Sequence, residues 1–338
     1  MRHAHGSVER AILLAVVYSD LFDYPLTPRE LRASLVRRAA TPAEFEAGLG
    51  GLLEGPLALT EGLVTLRGRE ALVPLRARRQ ALCSARWPAA RRFGRWLARV
   101  PFVRMVAVCG SQAVGNADEA GDIDFFCVTE PRRLWLAQVA IMLLRRAASL
   151  GGPHCCPNYF LTTSCLGLPE RSLYAAHEVL QTVPLWGLEV HARFRRENAW
   201  VGDFLPCAAA AEDRVLARDL PRPRATALLE RALGGRLGDA LDAAVHRALL
   251  AYYAVRLRGR SRGEIRRDYS RGRQVVLGGG YAQAVAERFA LRVRERLGDE
   301  VAASELAALF PEPPEGSPSR PDPRYRELLA TSYGHAGE

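Results

Sequence analysis

The chain has 338 residues, 49% of them hydrophobic and 25% charged, with a formal net charge of +10 at pH 7. This length predicts two or three domains with a real core, and the composition is typical of a soluble globular protein. All 47 basic residues are arginine, which excludes a lysine nucleophile and leaves guanidinium groups for any basic phosphate contact. The positive charge favours an anionic partner: a nucleotide, a nucleic acid or a phosphorylated substrate.

Targeting and cysteine patterns point to a cytoplasmic protein with no membrane partner. The apolar run at 11–17 is short and follows Glu9, unlike a secretory signal. The apolar stretch at 134–144 is too short to span a bilayer. The seven cysteines are odd in number and scattered, which argues against a disulfide framework. We therefore expect buried or inert thiols.

Residues 7 to about 70 predict three helices followed by a hairpin. Ser7 can cap the first helix. Thr27–Glu30 and Thr41–Glu44 are capping boxes with proline at the first helical position. They predict helices that run to about 38 and about 54. Two short apolar runs around 61–62 predict the hairpin, and this order resembles a winged helix domain.

The acidic character of the third helix bears on what such a unit contacts. It carries Glu44, Glu46 and Glu54 and no basic residue, so it would repel DNA phosphates. Docking on the rest of the chain or on a protein is therefore favoured over DNA binding. Arginines on the second helix keep DNA binding open as the alternative. Residues 69–104 then predict an arginine-rich connecting helix with its arginines in solvent.

The stretch Val106–Thr129 carries the clearest functional signal. Its apolar start, 106–109, predicts a buried strand that Gly110–Ser111 ends. A polar loop containing Gly115 leads to Asp122–Ile123–Asp124 and a second apolar strand. Side chains alternate along a strand, so both aspartates are expected on one face. Paired carboxylates repel each other unless a cation lies between them, and Mg²⁺ takes oxygen ligands that it shares with substrate phosphates.

These features together resemble the signature of the DNA-polymerase-β-like nucleotidyltransferase superfamily. The resemblance implies an α/β (α+β) core with a mixed sheet, with an NTP bound at Gly110, Ser111 and Gly115. It implies that Asp122 and Asp124 hold Mg²⁺, with Mn²⁺ as the alternative ion. The implied reaction moves a nucleoside monophosphate to an acceptor hydroxyl or phosphate and releases pyrophosphate. The acceptor itself, whether a small molecule, a protein or an RNA, is left open.

One position departs from the superfamily pattern. The superfamily places a third carboxylate on the next strand, predicted here at 155–163, where this chain has Asn158. An amide can ligate a metal but cannot take a proton. His177 and Glu178, in a helix predicted at 172–181, are candidate substitutes. The departure also supports a second interpretation, a degenerate regulatory or antitoxin-like binding module.

Two arginine groups complete the prediction. Arg132 is a candidate to contact a nucleotide phosphate, although a plain surface role is favoured for it. It lies in a helix predicted to begin at Pro131 and end near Ala148. Eight arginines at 256–273 are either a footprint for RNA, DNA or a triphosphate or a solvated face. We expect a winged-helix-like domain (1–72), a catalytic domain (73–190), a helical domain (191–310) and a Pro-rich linker and tail (311–338).

Overall fold

The structure, a computed structural model, describes residues 7–148, 154–208, 223–256, 270, 272–275 and 280–311. The strands are β1 (Leu57–Thr60), β2 (Leu63–Leu66), β3 (Val103–Cys109), β4 (Ile123–Thr129), β5 (Cys155–Thr162), β6 (Val183–Trp186) and β7 (Arg273–Val275). The helices are α1 (Val8–Asp20), α2 (Pro28–Ala33), α3 (Pro42–Leu53), α4 (Leu72–Leu97), α5 (Gly110–Val114), α6 (Leu134–Ala148), α7 (Leu173–Leu180), α8 (Leu188–Glu197), α9 (Val201–Phe204), α10 (Arg224–Ala232), α11 (Arg236–Arg256), α12 (Gly280–Leu297) and α13 (Asp299–Leu309). The predicted mixed α/β class is confirmed at this coarse level.

A five-stranded mixed sheet in the order β6–β3–β4–β5–β7 separates two hydrophobic cores. β3 is antiparallel to β4 and β6, β4 is parallel to β5, and β5 is antiparallel to β7. Neighbouring residues of β4 enter different cores because side chains alternate along a strand. Phe125 packs with α4 and α6 on one face, and Phe126 packs with α7, α8 and α1 on the other. The sheet therefore has helices on both faces.

The N-terminal unit, residues 7–66, has the predicted three helices and antiparallel hairpin. Both capping boxes form, with Thr27 and Thr41 each bonded to the glutamate three residues later. The prediction that the second helix continues to about 38 is wrong, since α2 ends at Ala33. Arg37 adopts a left-handed φ of 55° and donates its backbone N–H to Phe204 at 2.7 Å. This contact with α9 turns the chain away from the helical path.

Helix α4 holds the N-terminal unit against the sheet through buried arginines. Arg76 donates to the carbonyl oxygen of Pro25 at 2.6 Å and lies over the ring of Tyr24. Arg79 donates to Asn116 at 3.2 Å. Only 6% and 7% of these two arginines is exposed, so the prediction of solvated arginines throughout this helix is wrong for them. A guanidinium can be buried here because carbonyl and amide oxygens satisfy its donors.

Helix α6 begins at Leu134 rather than at Pro131 as predicted. Arg132 has a left-handed φ of 60°, which a continuing helix does not allow. Asp242 of α11 instead accepts hydrogen bonds from the backbone N–H groups of Trp135 and Leu136, at 2.9 and 3.0 Å. The start of α6 is thus fixed by a residue far away in the sequence.

The helices after β6 contact both earlier parts of the chain, with α11 on α6 and α12 on α1. The segment predicted to be a helical domain, 191–310, contains α9 to α13 among the described residues. Most of the arginine-rich segment at 256–273 and of the Pro-rich linker from 311 lies outside the described residues. Among the helices described, none combines the length and apolar character needed to cross a bilayer.

Candidate functional site

A tight turn at the end of β3 begins the candidate site. Gly110 has a φ of +62°, and a Cβ built on it would lie 3.0 Å from Oδ2 of Asp124. Any larger residue would need both a strained backbone and the space that this carboxylate occupies. α5 follows at once and ends at Gly115, whose φ is +82°. The predicted glycine-serine turn is therefore in direct contact with Asp124.

Asp124 lies at the start of β4, paired in register with Cys109. Its Oδ1 accepts a hydrogen bond of 2.7 Å from the side-chain amide of Asn158 on β5. Its Oδ2 accepts none from the described residues. Burial, with a smaller contribution from the charge of Asp122, raises the pKa of Asp124 to about 7. The carboxylate thus has one oxygen available in a poorly hydrated place.

Asp122 is placed differently from Asp124. It precedes β4, so the strand alternation that would put the two acids on one face does not reach it. Its Oδ2 lies 2.9 Å from Nδ1 of His154, and 40% of its side chain is exposed. It does not line the cavity described next, although it is close enough to raise the pKa of Asp124. Only one of the two predicted metal ligands faces the cavity.

A cavity of about 910 Å³ lies between this face of the sheet and the helices that cover it. Asp124 and Asn158 line it from β4 and β5, and Gly110 and Ser111 line it from α5. Helices α1, α2 and α7 contribute other walls. Drug-sized ligands occupy pockets of roughly 300–1,000 Å³. The space therefore suits a nucleotide together with a small second molecule.

The two substitutes that the sequence offered for a third carboxylate have different surroundings. His177 stacks on Tyr18 of α1 with 4.4 Å between ring centroids, and burial lowers its pKa to about 4. Glu178 also lines the cavity and has no hydrogen bond or ion pair within the described residues. Burial, and then the charge of Asp124, raises the pKa of Glu178 to about 7. Glu178 is thus the better placed proton acceptor.

Three residues that sequence analysis missed hold the loop after α5. The side-chain amide of Asn116 donates to the carbonyl oxygen of Phe22 at 2.8 Å, and Arg79 donates to the Asn116 side chain. Tyr24 donates its hydroxyl to the carbonyl oxygen of Val114 at 2.8 Å. A polar residue directly after Gly115 was the available signal for Asn116. Nothing local marked Tyr24 or Arg79, because their partners are distant in sequence.

Arg132 is not brought to this site. It follows the carboxyl-terminal end of β4, whereas Asp124 is near the beginning, and five strand residues span about 16 Å. Arg132 binds Asp239 at 3.1 Å, and 71% of its side chain is exposed. Its predicted contact with a nucleotide phosphate is therefore not supported by its position.

The donor atoms fit a hard divalent cation in part. No cluster of three or more His, Cys, Asp or Glu side chains forms a metal site among the residues that the structure describes. Mg²⁺, however, is usually held by one or two carboxylates, with substrate phosphates and water completing its shell. Asp124 with its available Oδ2, and the neighbouring Asp122, match that donor chemistry.

Comparison of the chain with protein-family models, with curated proteins and with solved structures finds no match. The argument about activity therefore depends on the site alone.

Proposed function

We propose that the chain is a Mg²⁺-dependent nucleotidyltransferase, which moves a nucleoside monophosphate from an NTP to an acceptor hydroxyl or phosphate. One observation carries this proposal. The Gly110 turn lies against the carboxylate of Asp124 inside a cavity with room for a nucleotide and a small acceptor. A phosphate-binding turn beside a metal-binding carboxylate is the arrangement that phosphoryl transfer requires.

Each residue has a role in this proposal. The Ser111 hydroxyl and the backbone N–H groups of the turn hold the triphosphate. Asp124, with Asp122, holds the cation, which when bound neutralises charge on the phosphates. The acceptor oxygen forms a bond to the α-phosphorus, and the bond from that phosphorus to the β-phosphate oxygen breaks, so pyrophosphate leaves. With a hydroxyl acceptor, the carboxylate of Glu178 takes the proton.

Calorimetry of Asp124→Asn tests this assignment. The substitution keeps the size of the side chain and removes its charge. We expect affinity for Mg²⁺ with α,β-methylene-ATP to fall by at least a hundredfold, while the unfolding midpoint stays the same or rises. Asp203→Asn, an exposed acid on α9, is the matched control and should bind as wild type does. Equal affinity in wild type and Asp124→Asn would refute the proposal.

Asn158 favours a second candidate function. In it the chain is a regulatory module that has a nucleotidyltransferase fold but no catalytic activity. The Asn158 amide donates to Asp124 at the place where the resemblance implies a third carboxylate. Pyrophosphate release distinguishes the two candidates when each NTP is offered with Mg²⁺ and cell extract as a source of acceptors. Continued absence of release, with tight binding to a DNA or protein partner, would support the regulatory module.

A further inference from the structure

Arg32 differs from the other arginines that have a buried Nε. Among the described residues, the Nε atom of four arginines is buried without a hydrogen-bond partner. Three of them bind a carboxylate through another nitrogen: Arg10, Arg133 and Arg273. The side chain of Arg32 forms no hydrogen bond and no ion pair with the described residues. A permanently charged guanidinium is thus partly buried without a counter-charge.

The position of Arg32 connects it to the candidate site. It lies on α2 and lines the same cavity as Asp124 and Gly110, from a different wall. It also borders a groove between α2 and α3. The acid nearest to it in α2, Glu30, is already bound by Arg76 at 2.8 Å and caps the helix through Thr27. Glu46 of α3 lines the same groove, but no ion pair joins it to Arg32 among the described residues.

Energetics favour a ligand at this position. A buried donor without a partner costs about 1–3 kcal/mol, and more when the group is charged. Carboxylate and phosphate groups match the fork of a guanidinium, and they form its strongest hydrogen bonds. An oxyanion bound at Arg32 would supply the ion-pair partner that the described residues do not provide.

We propose that Arg32 binds the anionic group of the acceptor, so that the acceptor is a small molecule carrying a carboxylate or a phosphate. This inference rests on the proposed function, in which the triphosphate already occupies the turn at Gly110. Tyr18, Phe22 and Tyr24 line the cavity from the N-terminal unit, which suits a flat apolar body beside the anion. A site between the sheet and its covering helices has little room for a folded RNA.

Calorimetry with simple aromatic oxyanions tests the inference. Phenyl phosphate and benzoate are the probes, and benzyl alcohol is the neutral counterpart. Each is titrated with and without saturating Mg²⁺ and α,β-methylene-ATP. We expect at least one oxyanion to bind wild type in both conditions and to bind Arg32→Gln at least tenfold more weakly. Arg32→Lys should recover part of the affinity, because it restores the charge without the fork.

Arg38→Gln is the matched control, since Arg38 is exposed and does not line the cavity; it should bind the probes as wild type does. Three results would overturn the inference: no oxyanion binding to wild type, equal binding by Arg32→Gln, or loss of nucleotide affinity in Arg32→Gln. The last would assign Arg32 to the nucleotide's own phosphates. Oxyanion binding without any nucleotide binding would instead refute the proposed function and leave the Arg32 site standing.

Discussion

The acidic side chains near the two ends of β4 have opposite electrostatic surroundings. Beyond its carboxyl-terminal end, a hydrogen bond from Arg133, followed by that from Arg132, holds the pKa of Asp239 below its usual range. At its amino-terminal end, burial raises the pKa of Asp124 and Glu178 to about 7. Asp239 is paired with two arginines, whereas the carboxylates of Asp124 and Glu178 have no cationic partner among the described residues. Acids with such raised pKa values in a cavity are candidates for function.

We expect the largest loss of stability when the interactions of Arg133, beyond the carboxyl-terminal end of β4, are removed. Arg133 is 3% exposed and donates to Asp239, Gly235 and the carbonyl oxygen of Arg132. Arg133→Ala removes these three hydrogen bonds and a buried side chain, so we expect a loss of about 2–3 kcal/mol in urea unfolding. Nucleotide affinity should not change.

Arg132→Ala is the matched control, because both arginines bind the same carboxylate. Its exposed ion pair should contribute about 0.5 kcal/mol or less. If both substitutions destabilise the fold equally, the difference in burial does not determine how much each arginine contributes to stability.

At the cavity, near the amino-terminal end of β4, we expect the opposite: removing the charge of an acid should stabilise the fold. The folded pKa of Glu178, about 7, lies above its ordinary value of 4.5. Its contribution to stability is complete below about pH 4.5 and is lost as the pH rises through 7. Glu178→Gln removes this loss, so without metal the variant should be more stable than wild type by about 3 kcal/mol at pH 8 and by about 1 kcal/mol or less at pH 5.

Urea titrations at the two pH values measure this difference. Glu189→Gln, an exposed acid on α8, serves as control and should follow wild type at both. A Glu178→Gln variant that is less stable than wild type at pH 8 would mean that the carboxylate has a stabilising partner.

Local sequence was enough for the part of the site that neighbouring residues build. The Gly110 turn and the strand that carries Asp124 follow from the apolar runs and the residues between them, whereas the place of Asn158 follows from the family resemblance. Asp122 was misplaced because β4 begins one residue later, at Ile123. Arg132 was considered for the site because it is close to the motif in sequence. The length of β4, which separates the two in space, was not taken into account.

Other parts of the fold depend on contacts that local patterns do not encode. The choice between His177 and Glu178 depends on Tyr18, which stacks on the histidine from α1. The end of α2 depends on the carbonyl oxygen of Phe204. The start of α6 depends on Asp242. Each requires knowledge of which distant elements meet.

The turn itself offers a sharper test of the cavity end. Gly110→Ala meets both a positive φ and the Asp124 carboxylate, so it should cost about 1–2 kcal/mol and lower nucleotide affinity at least tenfold. Gly62→Ala in the β1–β2 hairpin has a similar φ of +77° and nothing within 4 Å. It should have the backbone cost alone. Equal nucleotide affinity in the two variants would mean that the Gly110 turn does not contribute to nucleotide binding.

The smallest expected effect concerns the N-terminal unit as a wall of the site. Tyr24→Phe removes the hydrogen bond to Val114 at the end of α5 and should cost about 1 kcal/mol. Because α5 begins with the turn, we also expect nucleotide affinity to fall several-fold. Thr41→Ala removes the cap of α3 at a similar cost. Thr41 does not line the cavity, so this variant should leave affinity unchanged. If both variants bind nucleotide equally well, the Tyr24 hydrogen bond does not position the turn for nucleotide binding.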